Sequence, residues 1–234
     1  NKHMKPPELF AITNPVPFPG MPDGEPEFMT PEESIVYMAR VSSPNQRTED
    51  AEKLLTYLVK HGHWSPFDMV DMTIKLETSR AIMAQILRHW SFRFQEFSQR
   101  YASVTDFDYK HVELRFVAAE GNRQGSSEVS DAPMGMTHEG QQMCKAAARN
   151  YQSLIDRDIA PECARMVLPL ATLTHAYMKG SVRSWMTYFW QRLDPHAQKE
   201  HRLLAEQMFT IFEREFPVIA SLVKKYKPSI IEQP

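Results

Sequence analysis

Between Val70 and Glu77 apolar and polar residues alternate: Val70, Met72, Ile74 and Leu76 fall on one side, and Asp71, Thr73, Lys75 and Glu77 on the other. A period of two predicts a β-strand with one wet face. Thr78 or Ser79 can then cap a helix, whose Ile82, Ile86 and Trp90 share one face. At Trp90 the period returns to two, with Trp90, Phe92 and Phe94 opposite Ser91, Arg93 and Gln95, which predicts a helix end running into an extended loop. "HVELRF", His111 to Phe116, alternates again and is expected to pair with the earlier strand.

Helical signals fill most of the rest. Thr30 is an N-cap, Pro31 suits the first turn, and Glu33 completes a capping-box pattern. Glu49 to Lys60 carries Leu54, Leu55 and Leu58 at helical spacing and ends at His61-Gly62-His63. Further helices are expected over Thr137 to about Arg157, from Pro161, over Ser181 to Arg192 and over Pro195 to Phe212, with no internal repeat. Lys5 to Pro31 is dominated by proline and glycine, and Glu120 to Gly135 is polar and glycine-containing, so both are expected to be irregular. The implied organisation is an irregular N-terminal segment, residues 1–30, followed by a single domain, residues 31–234. Asn1-Lys2-His3 before Met4 reads as the remnant of an expression tag. The fold class is α+β, a small antiparallel sheet with packed helices.

Composition narrows the classes of function. The chain has 234 residues, 42% hydrophobic and 24% charged, enough to bury a substantial core. A net charge of -2 gives no global attraction to nucleic acid or anionic membrane, so any anion site must be local. Two cysteines, Cys144 and Cys163, are too few for a disulfide framework, which fits a reducing compartment. No apolar run approaches the roughly 20 residues of a membrane helix, so a soluble, cytoplasmic protein is expected, in the host cytoplasm if the source is viral.

The local anion site is "RHWSFRFQEFSQRY", Arg88 to Tyr101. Arg88, Arg93 and Arg100 face a single local acid, Glu96, so the stretch cannot neutralise itself; an anionic ligand or acids elsewhere in the fold must supply the missing charge. "HGHWSPF", His61 to Phe67, contains His-x-His, but no nearby carboxylate or cysteine completes a metal shell, and "HAQKEH" places His196 and His201 off a common helical face. No metal is expected; His63, Trp64 and Phe67 are suited instead to stacking on a flat ring. Arg183 and Arg192 are nine residues apart, about 180° around a straight helix, and so point at different sites or different subunits. Trp185, Met186, Phe189 and Trp190 read as core or subunit interface. Cys163 lies two residues before Arg165, which would favour a thiolate, although a buried inert cysteine is the commoner case. No Gly-x-Ser-x-Gly elbow and no glycine-rich nucleotide fingerprint occurs, so a nucleotide would be held by side chains.

These residues resemble a known family. "RHWSFRFQEFSQRY" is similar to the signature of the flavin-dependent thymidylate synthases, Arg-His-Arg-x-x-Ser-x-Asn-Glu-x-Ser-x-Arg-Tyr, and the likeness extends through "HGHWSPF", "ARMVLPL", "RSWM" and "DPHAQ", from about Ala39 to Gln198. The resemblance implies a homotetramer with active sites at subunit junctions. It also implies a methyltransferase that converts dUMP to dTMP, with FAD as cofactor and NADPH and methylenetetrahydrofolate as co-substrates. It implies that dUMP meets Gln85, Arg88, Glu96, Ser98, Gln99, Arg100, Arg165 and Arg192. FAD would lie against Ser65, Arg88, His89, Trp90, Glu96, Ser181, Arg183 and Thr187, with His63 near the stacked rings. Arg192 is the expected catalytic residue, because an arginine beside N3 and O4 stabilises the anion through which C5 attacks. Neither membrane nor nucleic acid is an obligatory partner.

The departures from the signature are specific. Trp90 replaces its second arginine, Arg93 its first serine and Gln95 its asparagine, while Ser181 and Thr187 stand where asparagines are usual. Arg93 is expected to take over the anion-binding work lost at position 90 while Trp90 packs on the cofactor. Two alternatives follow from the same departures: a flavin- and folate-dependent pyrimidine-nucleotide hydroxymethylase, or a non-catalytic nucleotide- or RNA-binding relative.

Overall fold

The computed structural model describes residues 4–16, 29–44, 46, 50–105, 107–118, 125–127 and 132–226. Its centre is a four-stranded antiparallel sheet in the order β1-β2-β4-β3. Strands β2 (Asp71–Ser79) and β4 (Leu173–Ser181) pair along their whole length, from Asp71 opposite Ser181 to Ser79 opposite Leu173. β1 (Glu8–Ile12) lies on the free edge of β2, and β3 (Arg93–Glu96) on that of β4.

The alternation in β2 does what its period predicts: Met72, Ile74, Leu76 and Thr78 are buried, and the residues between them are half-exposed. On β4 the buried face is made of Thr174, Ala176, Met178 and Gly180. Helix α6 (Val182–Arg192) follows β4 directly, with Ser181 as its N-cap accepting from the Ser184 amide at 3.2 Å. Its Trp185 is fully buried and donates from Nε1 to the Met72 carbonyl at 3.0 Å, so the helix is bonded to the sheet it covers. Trp185, Met186, Phe189 and Trp190 all belong to the main core, in agreement with the core reading of that stripe. Phe189 packs edge-on against Phe209 of α7 (Lys199–Glu215), and Phe212 leads on to Phe216 and α8 (Pro217–Lys225).

Capping decides several helix starts. At α1 (Pro31–Ala39) the box is complete: the Thr30 side chain accepts from the Glu33 amide, and the Glu33 carboxylate accepts from the Thr30 amide. Asp50 caps α2 (Ala51–Lys60), which stops at Gly62, whose φ of 67° a side chain would disfavour. Ser79 caps α3 (Arg80–Ile86). Glu32 lends its carboxylate to the amides of Val218 and Ile219 at 3.3 and 2.7 Å, capping α8 from a different helix.

A second, smaller cluster joins Val104, Tyr151 and Ala164 with Phe97, Val167 and Leu168. Tyr151, on α4 (Met134–Ile155), accepts from the Val104 amide at 3.0 Å. This core ties the loop after β3 to α5 (Pro161–Ala164) and to the 3-10 turn Arg165–Val167, and so fixes where Arg165 begins.

Five sequence expectations are corrected. Residues 8–12 form an edge strand rather than irregular chain, while residues 17–28 of the same segment lie outside the described residues, as do Asn1-Lys2-His3. His111 to Phe116 is not a strand: β1 and β4 occupy both edges of β2, and Arg115 is drawn away to Glu200 and Glu113. Trp90 does not extend the buried face of α3, which ends at Ile86; the indole is 88% exposed. The extended segment beyond it is the short strand β3 rather than a loop. Most of the expected loop Glu120 to Gly135 lies outside the described residues, and α4 begins within it, at Met134. No helix of the described residues is long and apolar enough to cross a membrane.

Candidate active site

The signature stretch begins where α3 stops. The first turn of α3 is bonded to the 168–172 segment, Arg80 N to Thr172 O at 2.9 Å and Ala81 N to Leu170 O at 3.0 Å. Beside this junction lies a cavity of about 280 Å³ lined by Arg80, Gln99, Arg165, Met166, Leu168, Pro169, Leu170 and Thr172. Gln99 is 5% exposed, and its Nε2 has no hydrogen-bond partner among the described residues. An unpaired buried amide is costly unless a ligand or water satisfies it. Two arginines and an orphaned donor around one cavity describe a site for an anionic, acceptor-rich ligand.

Glu96 ends β3 and is held from two sides, by Arg80 Nη1 at 2.8 Å and Thr174 Oγ1 at 2.9 Å, both on Oε1. Ser98 accepts from the Arg100 amide at 3.4 Å, and Arg100 pairs with Glu162 through Nε at 3.2 Å.

A second group surrounds Arg192 at the end of α6. Its Nε donates to Nε2 of His89 at 2.9 Å, leaving both Nη groups without a partner among the described residues. Burial, and then the Arg192 charge, lower the His89 pKa to about 4, so near neutral pH this histidine is an uncharged acceptor. Burial also lowers the His201 pKa to about 3, with Arg192 and His89 adding to the effect. Tyr188, fully buried, has its hydroxyl 3.0 Å from His201 Nε2, and burial raises its pKa, so it stays protonated. His201 Nδ1 lies 3.2 Å from Gln85 Oε1, and Gln85 Nε2 donates to Gln198 Oε1 at 2.6 Å. Gln85, His89 and Arg192 do not line the cavity, which lies on the Arg165 side.

A third group forms where α6 begins. Asp68 accepts from Ser181 Oγ at 2.7 Å and from Arg183 at 3.0 Å, bringing the 3-10 turn Ser65–Asp68 against the start of α6. Thr187 returns its hydroxyl to the Arg183 carbonyl at 3.1 Å. Arg183 and Arg192 therefore serve opposite ends of an unbroken helix, as their spacing requires. Arg93 bonds the carbonyls of Trp90 and Phe92 through Nη1 at 3.2 and 3.1 Å, bracing its own loop. His63 is exposed and stands edge-on to Tyr57, with ring centroids 5.7 Å apart.

The balance of charge is uneven. Arg80, Arg100 and Arg183 have carboxylate partners, whereas Arg88, Arg165 and Arg192 have none among the described residues. Arg88 also lies close enough to Arg192 to disfavour its charge. Sequence reasoning found all three but missed Arg80, Tyr188, Gln198 and His201. His201 had a usable signal: it occupies the stripe that continues through Leu204, Ala205, Met208 and Phe212, a polar residue at a core position.

A family model described as "Thymidylate synthase complementing protein" matches residues 27–218. The flavin-dependent thymidylate synthase of Synechocystis sp. is 45% identical over 204 residues, covering 86% of this chain and 93% of that protein. The probable flavin-dependent thymidylate synthase of Paramecium bursaria Chlorella virus 1 is 43% identical over 195 residues, covering 82% and 89%. Among solved structures, the UMP/dUMP methylase PolB from Streptomyces cacaoi, bound with 5-Br dUMP, matches with a TM-score of 0.74 and 25% identity over 94% of each chain.

Proposed function

We propose a function on the premise that this chain belongs to the flavin-dependent thymidylate synthase family: it converts dUMP to dTMP, taking the one-carbon unit from methylenetetrahydrofolate and reducing equivalents from NADPH. The observation that carries this reading is the cavity where Arg165, without an acid partner among the described residues, meets the orphaned Gln99 amide, together with Arg88 and Arg192, likewise without acid partners among those residues, outside it. A pyrimidine nucleotide supplies both missing elements, a phosphate for Arg165 and the Gln99 amide and base carbonyl oxygens for Arg192.

In this reading the phosphate enters the cavity between Arg165 and Gln99, with Ser98 and Arg100 at its rim. Glu96 is anchored through one oxygen by Arg80 and Thr174, and the other is left to the ligand. Arg192 faces the base. Its Nε is fixed by His89, so the two Nη groups keep a set direction, and partial burial makes their charge count for more than it would in water. Donors aimed at O4 and N3 hold the negative charge that develops as C5 attacks the one-carbon unit. Ser98 binds rather than attacks, because its hydroxyl has no base beside it.

The residues also fit a flat anionic cofactor, which we assign as FAD. Trp90 offers an uncovered indole face, and the 3-10 turn at Ser65 is joined to Arg183 through Asp68. When bound, the flavin would supply the hydride that completes the methyl group. Ser181 and Thr187 commit their hydroxyls to Asp68, to the Ser184 amide and to the Arg183 carbonyl, so the flavin contact at this end rests on Arg183, Ser65 and Trp90. His63 stacks against the ring systems from the exposed side. Arg88 and Arg183 reach completed sites in a homotetramer with active sites at subunit junctions.

Genetic complementation tests the function as a whole. Expression in a thymidine-requiring bacterium lacking thymidylate synthase is expected to restore growth without thymidine, and Arg192→Ala to abolish the rescue. Failure of the well-expressed wild-type chain to rescue would overturn the proposal.

A further inference from the structure

A chain of hydrogen bonds runs from the core to Gln85, and its direction is fixed at the far end. Glu200 is held by Arg115, whose side chain is 6% exposed. Burial alone would raise the Glu200 pKa, but hydrogen bonds from Arg115, its own backbone amide and Gln198 leave it below the usual carboxylate value, so the group is ionised and can only accept. Gln198 must therefore turn its NH₂ toward Glu200, at 2.9 Å, and its carbonyl toward Gln85. Gln85 in turn must present its NH₂ to Gln198 and its carbonyl to His201. The atom of His201 that meets this carbonyl is Nδ1, so Nδ1 carries the proton, and Nε2 accepts from the Tyr188 hydroxyl. Reversing either amide would place two acceptors or two donors face to face, and at the Gln85 to His201 contact this would happen in a partly buried site.

We propose that Glu200, Gln198 and His201 are positioning residues that lock the Gln85 carboxamide as a donor toward the base, selecting a carbonyl-bearing pyrimidine over an amino-bearing one. One hydrogen of Gln85 Nε2 is used by Gln198; the second has no acceptor among the described residues and is left for the ligand. Arg192 is also a donor only, so the two side chains present the same polarity to the base, which suits the carbonyl of uracil and opposes the amino group of cytosine. The inference rests on the dUMP reading above and adds the device that enforces it.

Two measurements test it on the intact protein. ¹⁵N NMR of the ligand-free wild type at neutral pH is expected to show His201 protonated at Nδ1 and bare at Nε2; a proton on Nε2 would overturn the inference. Glu200→Gln gives position 200 a donor as well, so the chain loses its fixed sense. With FAD added, the ratio of dUMP to dCMP affinity is expected to fall roughly ten-fold or more in Glu200→Gln, the discrimination expected of one hydrogen bond in a site built to make it. A wild-type preference for dUMP that Glu200→Gln leaves unchanged would overturn the inference alone, and a wild type that binds neither nucleotide would overturn the dUMP reading with it.

Discussion

Arg192 illustrates how little of a residue's role lies in its charge. A lysine at this position keeps the charge but loses the Nε bond to His89 and the planar fork, so Arg192→Lys is expected to lower kcat about 100-fold while the melting temperature stays within a few degrees. Arg165→Ala removes a cavity cation instead, and dUMP binding measured by calorimetry should weaken roughly 10- to 100-fold. The two histidines near Arg192 carry a pH signature. Both are lowered in the folded protein, to about 4 and about 3, so above pH 6.5 they are neutral folded or unfolded and contribute no pH dependence. As the pH falls below 6.5 the unfolded chain takes up protons that the folded chain refuses, and stability drops until the folded values are reached. Each can contribute a slope of up to about 1.4 kcal/mol per pH unit. Denaturant unfolding at a series of pH values from 7 to 4 should show this loss, and His201→Leu should reduce the slope by about one proton; an unchanged slope would show that His201 is already charged in the fold.

At the scale of elements, Gly180 sets the distance between β4 and the loop that follows α3. A Cβ there would stand 2.6 Å from two ring carbons of Phe92 and 3.2 Å from the Ser184 Cβ. Phe92 cannot move aside freely, since its ring is wedged edge-on against Trp185 at 4.9 Å. Gly180→Ala is therefore expected to cost about 1–3 kcal/mol in denaturant unfolding and to displace the Arg88 to Arg93 loop, lowering nucleotide affinity as well. This glycine also explains which elements the sequence discloses. β2 was legible because its buried face is large and apolar, whereas β4 was not, because Thr174, Ala176 and Gly180 are small to make room for Phe92 and α6. β1 was hidden by the prolines around it, and α8 by the distance of its cap, since Glu32 of α1 supplies it. The capping box at Thr30 and the arginines were legible because their chemistry is local. The polar chain from Tyr188 to Glu200 was not, because Gln85 is over a hundred residues from Gln198 and His201.

The whole molecule leaves a broad surface uncovered. Only Ala148 and Tyr151 are buried on the 22-residue α4, and Met134, Met136 and Met143 are exposed on it, as are Trp90, Tyr101 and Leu170 near the site. Apolar exposure of this extent is expected where other copies of the chain pack, and sedimentation velocity should give a tetramer, with a monomer contradicting the junction sites. The central claim is chemical, and one measurement addresses it most directly: mass spectrometry of the nucleotide after anaerobic incubation of the protein with dUMP, methylenetetrahydrofolate, NADPH and FAD. The account predicts dTMP, formed only when all the components are present. A hydroxymethylated nucleotide, or dUMP recovered unchanged by folded protein, would contradict it.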